Sequence, residues 1–167
     1  LGGLTSVPVL KRALPNEKVL YFGDTARTPY GSKSPDTVCK FSAQIVDYLV
    51  SKNVKLIVIA CNTVTAMALD MLREKHPEVP IVGVIDPTAR RVAADGVCNV
   101  GIIGTKVTIE SGVYAESIHS LNPNINTYSL ACPAFVPLIE EGIIDNEIMD
   151  LTIKYYMDDF VKNNNID

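Results

Sequence analysis

At 167 residues the chain is long enough for one compact domain, or one and a half, with a real hydrophobic core. Its 47% hydrophobic and 20% charged residues make an ordinary globular mix, and no apolar run approaches the ~20 residues of a membrane helix. With a net charge of −4 and 15 basic residues spread along the chain, it lacks the basic stripe that holds nucleic acid.

The elements alternate with clear punctuation. Residues 4–14 carry a short helical pattern, and residues 18–22 read as a strand. Residues 23–34 form a long turn-rich loop holding Asp24-Thr25-Ala26-Arg27 and Pro29-Tyr30-Gly31. Ser34-Pro35 then supplies a cap and a first-turn proline, opening a helix to about residue 52. A strand over 56–60 leads to a helix over 64–76, and a strand over 81–85 leads to a helix over 87–94. The next strand, 100–103, ends in Gly104-Thr105 before a helix from about 106 to 120. A last strand, 125–130, precedes Cys132-Pro133 and two helical patterns near 136–141 and 146–162. Such alternation predicts an α/β fold with a mostly parallel sheet. Residues 163–167 read as a loop into a further strand, and the Leu1-Gly2-Gly3 start, without an initiator Met or a secretory signal, points to sequence missing upstream.

The most informative stretch is Leu56-Ile57-Val58-Ile59-Ala60-Cys61-Asn62-Thr63. A β-branched run of strand length ends in a thiol, an amide and a hydroxyl, and a helical pattern follows at once. Cys61 therefore falls at the carboxyl end of a parallel strand, where open α/β sheets bind ligands. The positive end of the following helix favours thiolate over thiol there. Two readings stand side by side: a reactive cysteine in a small-anion site, and a buried structural cysteine.

Two other segments place small polar residues at a helix start, Gly2-Gly3-Leu4-Thr5-Ser6 and Gly104-Thr105-Lys106-Val107-Thr108. Such ends bind carboxylate or phosphate through backbone N–H groups, although each alone is also an ordinary capped helix. Neither a G-x-G-x-x-G nor a G-x-x-x-x-G-K-[ST] is present, so a small carboxylate is a more economical ligand than a nucleotide. Asp24 and Arg27 lie close enough in sequence to pair across their loop. Cys39, Cys61, Cys98 and Cys132 include no Cys-x-x-Cys, and His76 and His119 stand far from each of them. A zinc site is not expected, and reduced thiols in the cytoplasm are.

Taken in order, Gly2-Gly3-Leu4-Thr5, Tyr21-Phe22-Gly23-Asp24-Thr25-Ala26-Arg27, Pro29-Tyr30-Gly31, Ala60-Cys61-Asn62-Thr63, Gly104-Thr105, Cys132-Pro133 and Phe135-Val136-Pro137-Leu138 closely resemble bacterial glutamate racemase. The Tyr-Phe-Gly-Asp-Thr-Ala-Arg and Pro-Tyr-Gly runs are the more specific. Ala-Cys-Asn-Thr also occurs in the wider group that includes aspartate and hydantoin racemases.

The resemblance implies a racemase with no cofactor and no metal that supplies D-glutamate for peptidoglycan. Two cysteines face opposite sides of the substrate; one takes the α-proton and the other returns a proton to the opposite face. On this resemblance Cys61 is one of the two. Asn62 and Thr63, with Tyr30 and Gly31, match residues that hold the substrate's carboxylates and ammonium group, and Thr105 and Thr108 match further substrate contacts. Asp24 and Glu140 match auxiliary carboxylates that tune the thiols; a loop ion pair and a solvated helix face are their plainer readings. The implied partners are glutamate and a second copy in a homodimer, with neither nucleic acid nor membrane.

The resemblance also implies two similar parallel-sheet α/β domains, residues 1–85 and 86–167, with the site between them and both incomplete in this sequence. The family's Asp-Ser-Gly falls upstream of Leu1, and its second cysteine, in a Gly-Cys-Thr-His motif, falls on a strand starting near Ile166. Cys132 matches a separate, structural element, while Cys39 and Cys98 read as bland. The isolated chain is accordingly expected to be inactive. The alternatives are an aspartate or hydantoin racemase relative, and a non-catalytic α/β domain that binds a small carboxylate.

Overall fold

The computed structural model describes residues 2–167 and divides into two units. One takes the chain up to Tyr30 and Pro35–Val84, and the other takes Gly31–Ser34 and Ile85–Asp167.

In the first unit a 3-10 turn, Gly2–Thr5, leads into α1 (Ser6–Ala13), and α2 (Pro35–Val50) begins at the proline expected to open it. Strand β1 (Ile57–Ile59), helix α3 (Asn62–Lys75) and strand β2 (Ile81–Gly83) form the rest. The two strands are parallel, with Ile57 opposite Ile81 and Ile59 opposite Gly83. Alternation puts Ile57 and Ile59 on the covered face and Val58 on the other. Helical spacing does the same for Val38, Ser42 and Val46 on α2, and for Thr65, Ala68, Leu69 and Leu72 on α3. The core of this unit gathers Val46, Ile57, Ile59, Ala68, Leu69, Leu72 and Ile81. Because β1 and β2 end at the same level, the residues that follow them emerge side by side at the start of α3.

Residues 18–22 form no strand, contrary to the sequence expectation. Their apolar character is real, but Val19, Leu20, Tyr21 and Phe22 are all exposed, and the sheet of this unit pairs β1 with β2 alone. A strand exists by its ladder, and a favourable pattern with no partner is only extended chain.

The second unit holds α4 (Ile85–Ala94), β3 (Asn99–Gly104), α5 (Lys106–Glu110), α6 (Val113–Leu121), β4 (Asn126–Ala131), α7 (Phe135–Glu140) and α8 (Glu147–Asn164). Strands β3 and β4 are parallel in register from Asn99 opposite Asn126 to Gly104 opposite Ala131. Ala89, Ile102, Ile118 and Ile125 form its core. The single helix expected over 106–120 is two, because Gly112 at φ +70° turns the chain into the left-handed region between them. Asn146 caps α8 by accepting from the N–H groups of Ile148 and Met149, both at 3.1 Å. At the other end of α8, the Asp167 N–H donates to Asn99 O at 3.1 Å, and its carboxylate accepts from the N–H groups of Cys98 and Asn99. The fold class is thus α/β, with short parallel strand pairs. Among the described residues no helix is long and apolar enough to cross a membrane.

Candidate functional site

Cys61 is the N-cap of α3. Its backbone is extended, at φ −107° and ψ +121°, so the chain arrives as strand and turns into helix at Asn62. Its carbonyl accepts the first bond of the helix, from the Thr65 N–H at 2.9 Å. The thiol is half-buried and makes no cap hydrogen bond. Asn62 is exposed, whereas Thr63 is buried. The helix therefore begins two residues earlier than its apolar pattern suggests, which puts Asn62 and Thr63 inside the first turn.

The loop before α2 carries the second part of this unit's site. The Arg27 Nε lies 2.7 Å from Asp24 Oδ2, and the Tyr30 hydroxyl donates to that same oxygen. Arg27 is further held on α2, its guanidinium 4.3 Å above the Phe41 ring and its Nη1 donating to Gln44 Oε1 at 2.6 Å. Tyr30 meets Phe41 edge-on. Burial pushes the Tyr30 phenol well above its ordinary value, and the hydrogen bond and charge of Asp24 push it further; Arg27 pulls the other way, and the charge of Cys61 adds to the rise. Cys61 and Tyr30 are thus within electrostatic reach of each other. Gly3 is also brought here, since a Cβ on it would meet the Tyr21 hydroxyl at 3.4 Å and Ala60 Cβ at 3.6 Å. The ion pair is therefore present, but Asp24 does more than neutralise Arg27. Phe41 and Gln44 were not marked by any motif; their signal is only that they stand three apart on one face of α2.

The second unit brings together Gly31, Thr105 and Thr108. The Val107 N–H donates to Gly31 O at 3.4 Å, and a Cβ at Gly31 would lie 2.4 Å from Thr105 Cβ. Only glycine fits so close an approach. Thr105 caps α5, its Oγ1 accepting from the Thr108 N–H at 3.4 Å and lying 3.0 Å from Thr108 Oγ1. Thr108 is buried, and its carbonyl accepts from Ser111 Oγ at 2.6 Å. Cys132 follows β4, with its N–H donating to Gly104 O at 2.9 Å. It is 2% exposed, and burial pushes its thiol up. Glu140 ends α7 on an exposed surface. Among the described residues no three His, Cys, Asp or Glu side chains gather as a metal site would require.

In the first unit the Cys61 sulfur stands at the N-terminal, positive end of a helix. Beside it stands an oriented loop with its own fixed carboxylate.

Known proteins resemble this chain in sequence and in fold. The profile of the Asp/Glu/Hydantoin racemase family matches residues 7–147. The chain is 49% identical over 160 residues to the glutamate racemase of Geobacter metallireducens, covering 94% of this chain and 58% of that one. It is 46% identical over 164 residues to the glutamate racemase of a Sulfurihydrogenibium species, covering 97% and 63%. The crystal structure of glutamate racemase from Francisella tularensis in complex with D-glutamate superposes with a TM-score of 0.91 at 45% identity, covering 99% of this chain and 61% of that one. The chain thus spans about six tenths of the length of the relatives it matches. On the family profile and these identities together, the chain belongs to the Asp/Glu/Hydantoin racemase family.

Proposed function

We propose that this chain carries the Cys61 half of a glutamate racemase that interconverts L- and D-glutamate for peptidoglycan synthesis. The observation that carries the reading is the position of Cys61, at the N-cap of α3 and within electrostatic reach of Tyr30. The glutamate racemase relatives, one of them bound to D-glutamate, support the choice of substrate.

In this mechanism the Cys61 thiolate takes the α-proton from one face of the amino acid, and the electron pair of the broken C–H bond passes into the α-carboxylate as an enediolate. A second thiol then gives its proton to the opposite face of Cα. Sulfur is both acid and base, so no cofactor is needed as an electron sink. Asn62, Thr63 and Tyr30 are the proposed substrate contacts in the first unit, and Gly31, Thr105 and Thr108 those in the second. Asp24 and Glu140 are the proposed auxiliary carboxylates. The Tyr30 hydroxyl already donates its proton in a hydrogen bond to Asp24, so Tyr30 serves the substrate through its backbone and ring. Net inversion needs an acid on one face and a base on the other. No Gly-Cys-Thr-His motif occurs in these 167 residues, and the chain alone is expected to bind glutamate without inverting it at the rate of a two-thiol enzyme. The four free thiols suit a reducing compartment, and the cytoplasm is the proposed location.

Mass mapping of iodoacetamide labelling tests the reading. D-glutamate is expected to slow modification of Cys61 and leave Cys98 unchanged. Labelling of Cys61 at one rate with and without D- or L-glutamate would overturn it.

A further inference from the structure

We propose that Thr65 is a positioning residue for Cys61 and that Gly83 provides the space this requires. The inference rests on reading Cys61 as the reacting thiol.

Thr65 lies one turn into α3 and is buried. Its Oγ1 stands 2.9 Å from Cys61 O and 3.3 Å from Ile59 O, and it accepts from the Val84 N–H at 3.4 Å. A hydroxyl has one proton to give, and the shorter contact, to Cys61 O, takes it; the lone pairs remain for Val84. One side chain of α3 therefore ties Cys61, at the N-cap, to Val84, the residue after β2.

The consequence falls on Cys61. Its carbonyl receives two donors from the same residue, the Thr65 N–H and the Thr65 hydroxyl, each at 2.9 Å. A carbonyl held from two directions leaves little freedom in the Cys61–Asn62 peptide plane. The direction in which the Cys61 Cα–Cβ bond leaves the N-cap is then set by Thr65, through the backbone.

Gly83 makes the arrangement more than the ordinary back-bond of a helical threonine. It closes β2 opposite Ile59, and a Cβ built on it would lie 2.3 Å from Thr65 Cγ2 and 3.1 Å from Oγ1. The threonine methyl occupies the place of any side chain at 83. Because a β-branched side chain is stiff about χ1, the seated methyl keeps the hydroxyl aimed at Cys61. Valine keeps the shape and loses the hydroxyl; serine keeps the hydroxyl and loses the methyl. The two roles are separable.

The test is the alkylation rate of Cys61 by iodoacetamide as a function of pH, with Cys98 as internal reference and far-ultraviolet circular dichroism as the check on folding. Thr65→Val is expected to slow Cys61 by about fivefold, the effect of one lost hydrogen bond on a rate, with Cys98 unchanged. Thr65→Ser should stay within about twofold of the parent rate. Gly83→Ala should slow Cys61 as Thr65→Val does. Thr65→Ser placed in the Gly83→Ala protein should relieve most of the slowing by removing the methyl at 2.3 Å, leaving only the looser contacts to Oγ1 and Leu69 Cδ2 at 3.1 Å. A Thr65→Val protein with the parent rate and pH profile would overturn the proposal. If Thr65→Val does not fold, the Gly83→Ala pair decides: no slowing, or no relief by serine, overturns it. A parent Cys61 that reacts no faster than Cys39 would instead overturn the reading of Cys61 itself.

Discussion

The hydroxyl of Tyr30 is committed to the carboxylate of Asp24. Arg27 meets the same oxygen, so one atom of Asp24 organises the loop that leads to Gly31. Asp24→Asn leaves both a guanidinium and a phenol with a weaker acceptor. It is expected to raise the D-glutamate concentration that half-protects Cys61 by about tenfold, roughly 1.4 kcal/mol. Tyr30→Phe keeps the ring against Phe41 and the Asp24–Arg27 pair, and its shift should be smaller. Equal protection in all three proteins would show that the loop takes no part in binding.

The four thiols differ in access and in environment. Cys132 is buried and its thiol pushed up; Cys39 is pushed up by burial first and by Asp36 second, and its thiol donates to Met67 O at 3.3 Å. Cys98 is exposed and Cys61 half-buried at the helix start. Brief iodoacetamide treatment near neutral pH is expected to modify Cys61 and Cys98 before Cys39 and Cys132, as mass mapping of the peptides will read. Early labelling of Cys132 would show that its burial does not hold in solution.

His76 fastens the far end of α3. Its Nε2 lies 2.8 Å from Asp47 Oδ1 and its Nδ1 3.2 Å from Glu78 Oε1, while Lys75 Nζ lies 2.7 Å from Asp47 Oδ2. The Asp47 carboxyl is held below its ordinary value of 3.8, by the Lys75 hydrogen bond first and His76 after it. That of Glu78 is held below 4.5, by its own backbone hydrogen bond first and His76 after it. A carboxyl lowered in the folded state adds stability above its unfolded value and loses it as pH falls through the folded one. Thermal melts should therefore fall below about pH 4. Asp47 is well exposed, so Asp47→Asn should cost only about 1–3 °C at pH 7. The variant should then lose less than the parent between about pH 5 and about pH 3, which bracket the carboxylate range.

Leu72 has no exposed surface and sits in the core of the first unit, whereas Leu121, at the end of α6, is half exposed. Leu72→Ala is expected to cost about 2–5 kcal/mol in urea denaturation. Leu121→Ala should stay within about 0.5 kcal/mol. Similar losses would contradict the burial pattern.

What could be read from the residues was local. The junction at Cys61 was legible because a β-branched run and a helical pattern meet there with polar residues between them. Its boundary was off by two residues because Asn62 and Thr63 carry no apolar signal, although they are helical. The break before α6 is marked only by Gly112, because the apolar spacing continues across it. Residues 18–22 could not be settled locally, since pairing depends on a neighbour distant in sequence. The same holds for Arg27 on Gln44 and Phe41, and for Thr65 against Gly83: these are contacts between elements, and no pattern within either element announces them.

The role of Cys61 is tested by transplanting the chain into a full-length relative. This sequence replaces the matching stretch of the Geobacter metallireducens glutamate racemase, and the circular dichroism of L-glutamate is followed with Cys61 intact and with Cys61→Ala. Loss of optical activity is expected with Cys61 present, and a fall in rate of about a hundredfold or more with alanine, the scale of a missing acid–base group. A folded Cys61→Ala protein that racemises glutamate at the rate of its Cys61 parent would contradict it.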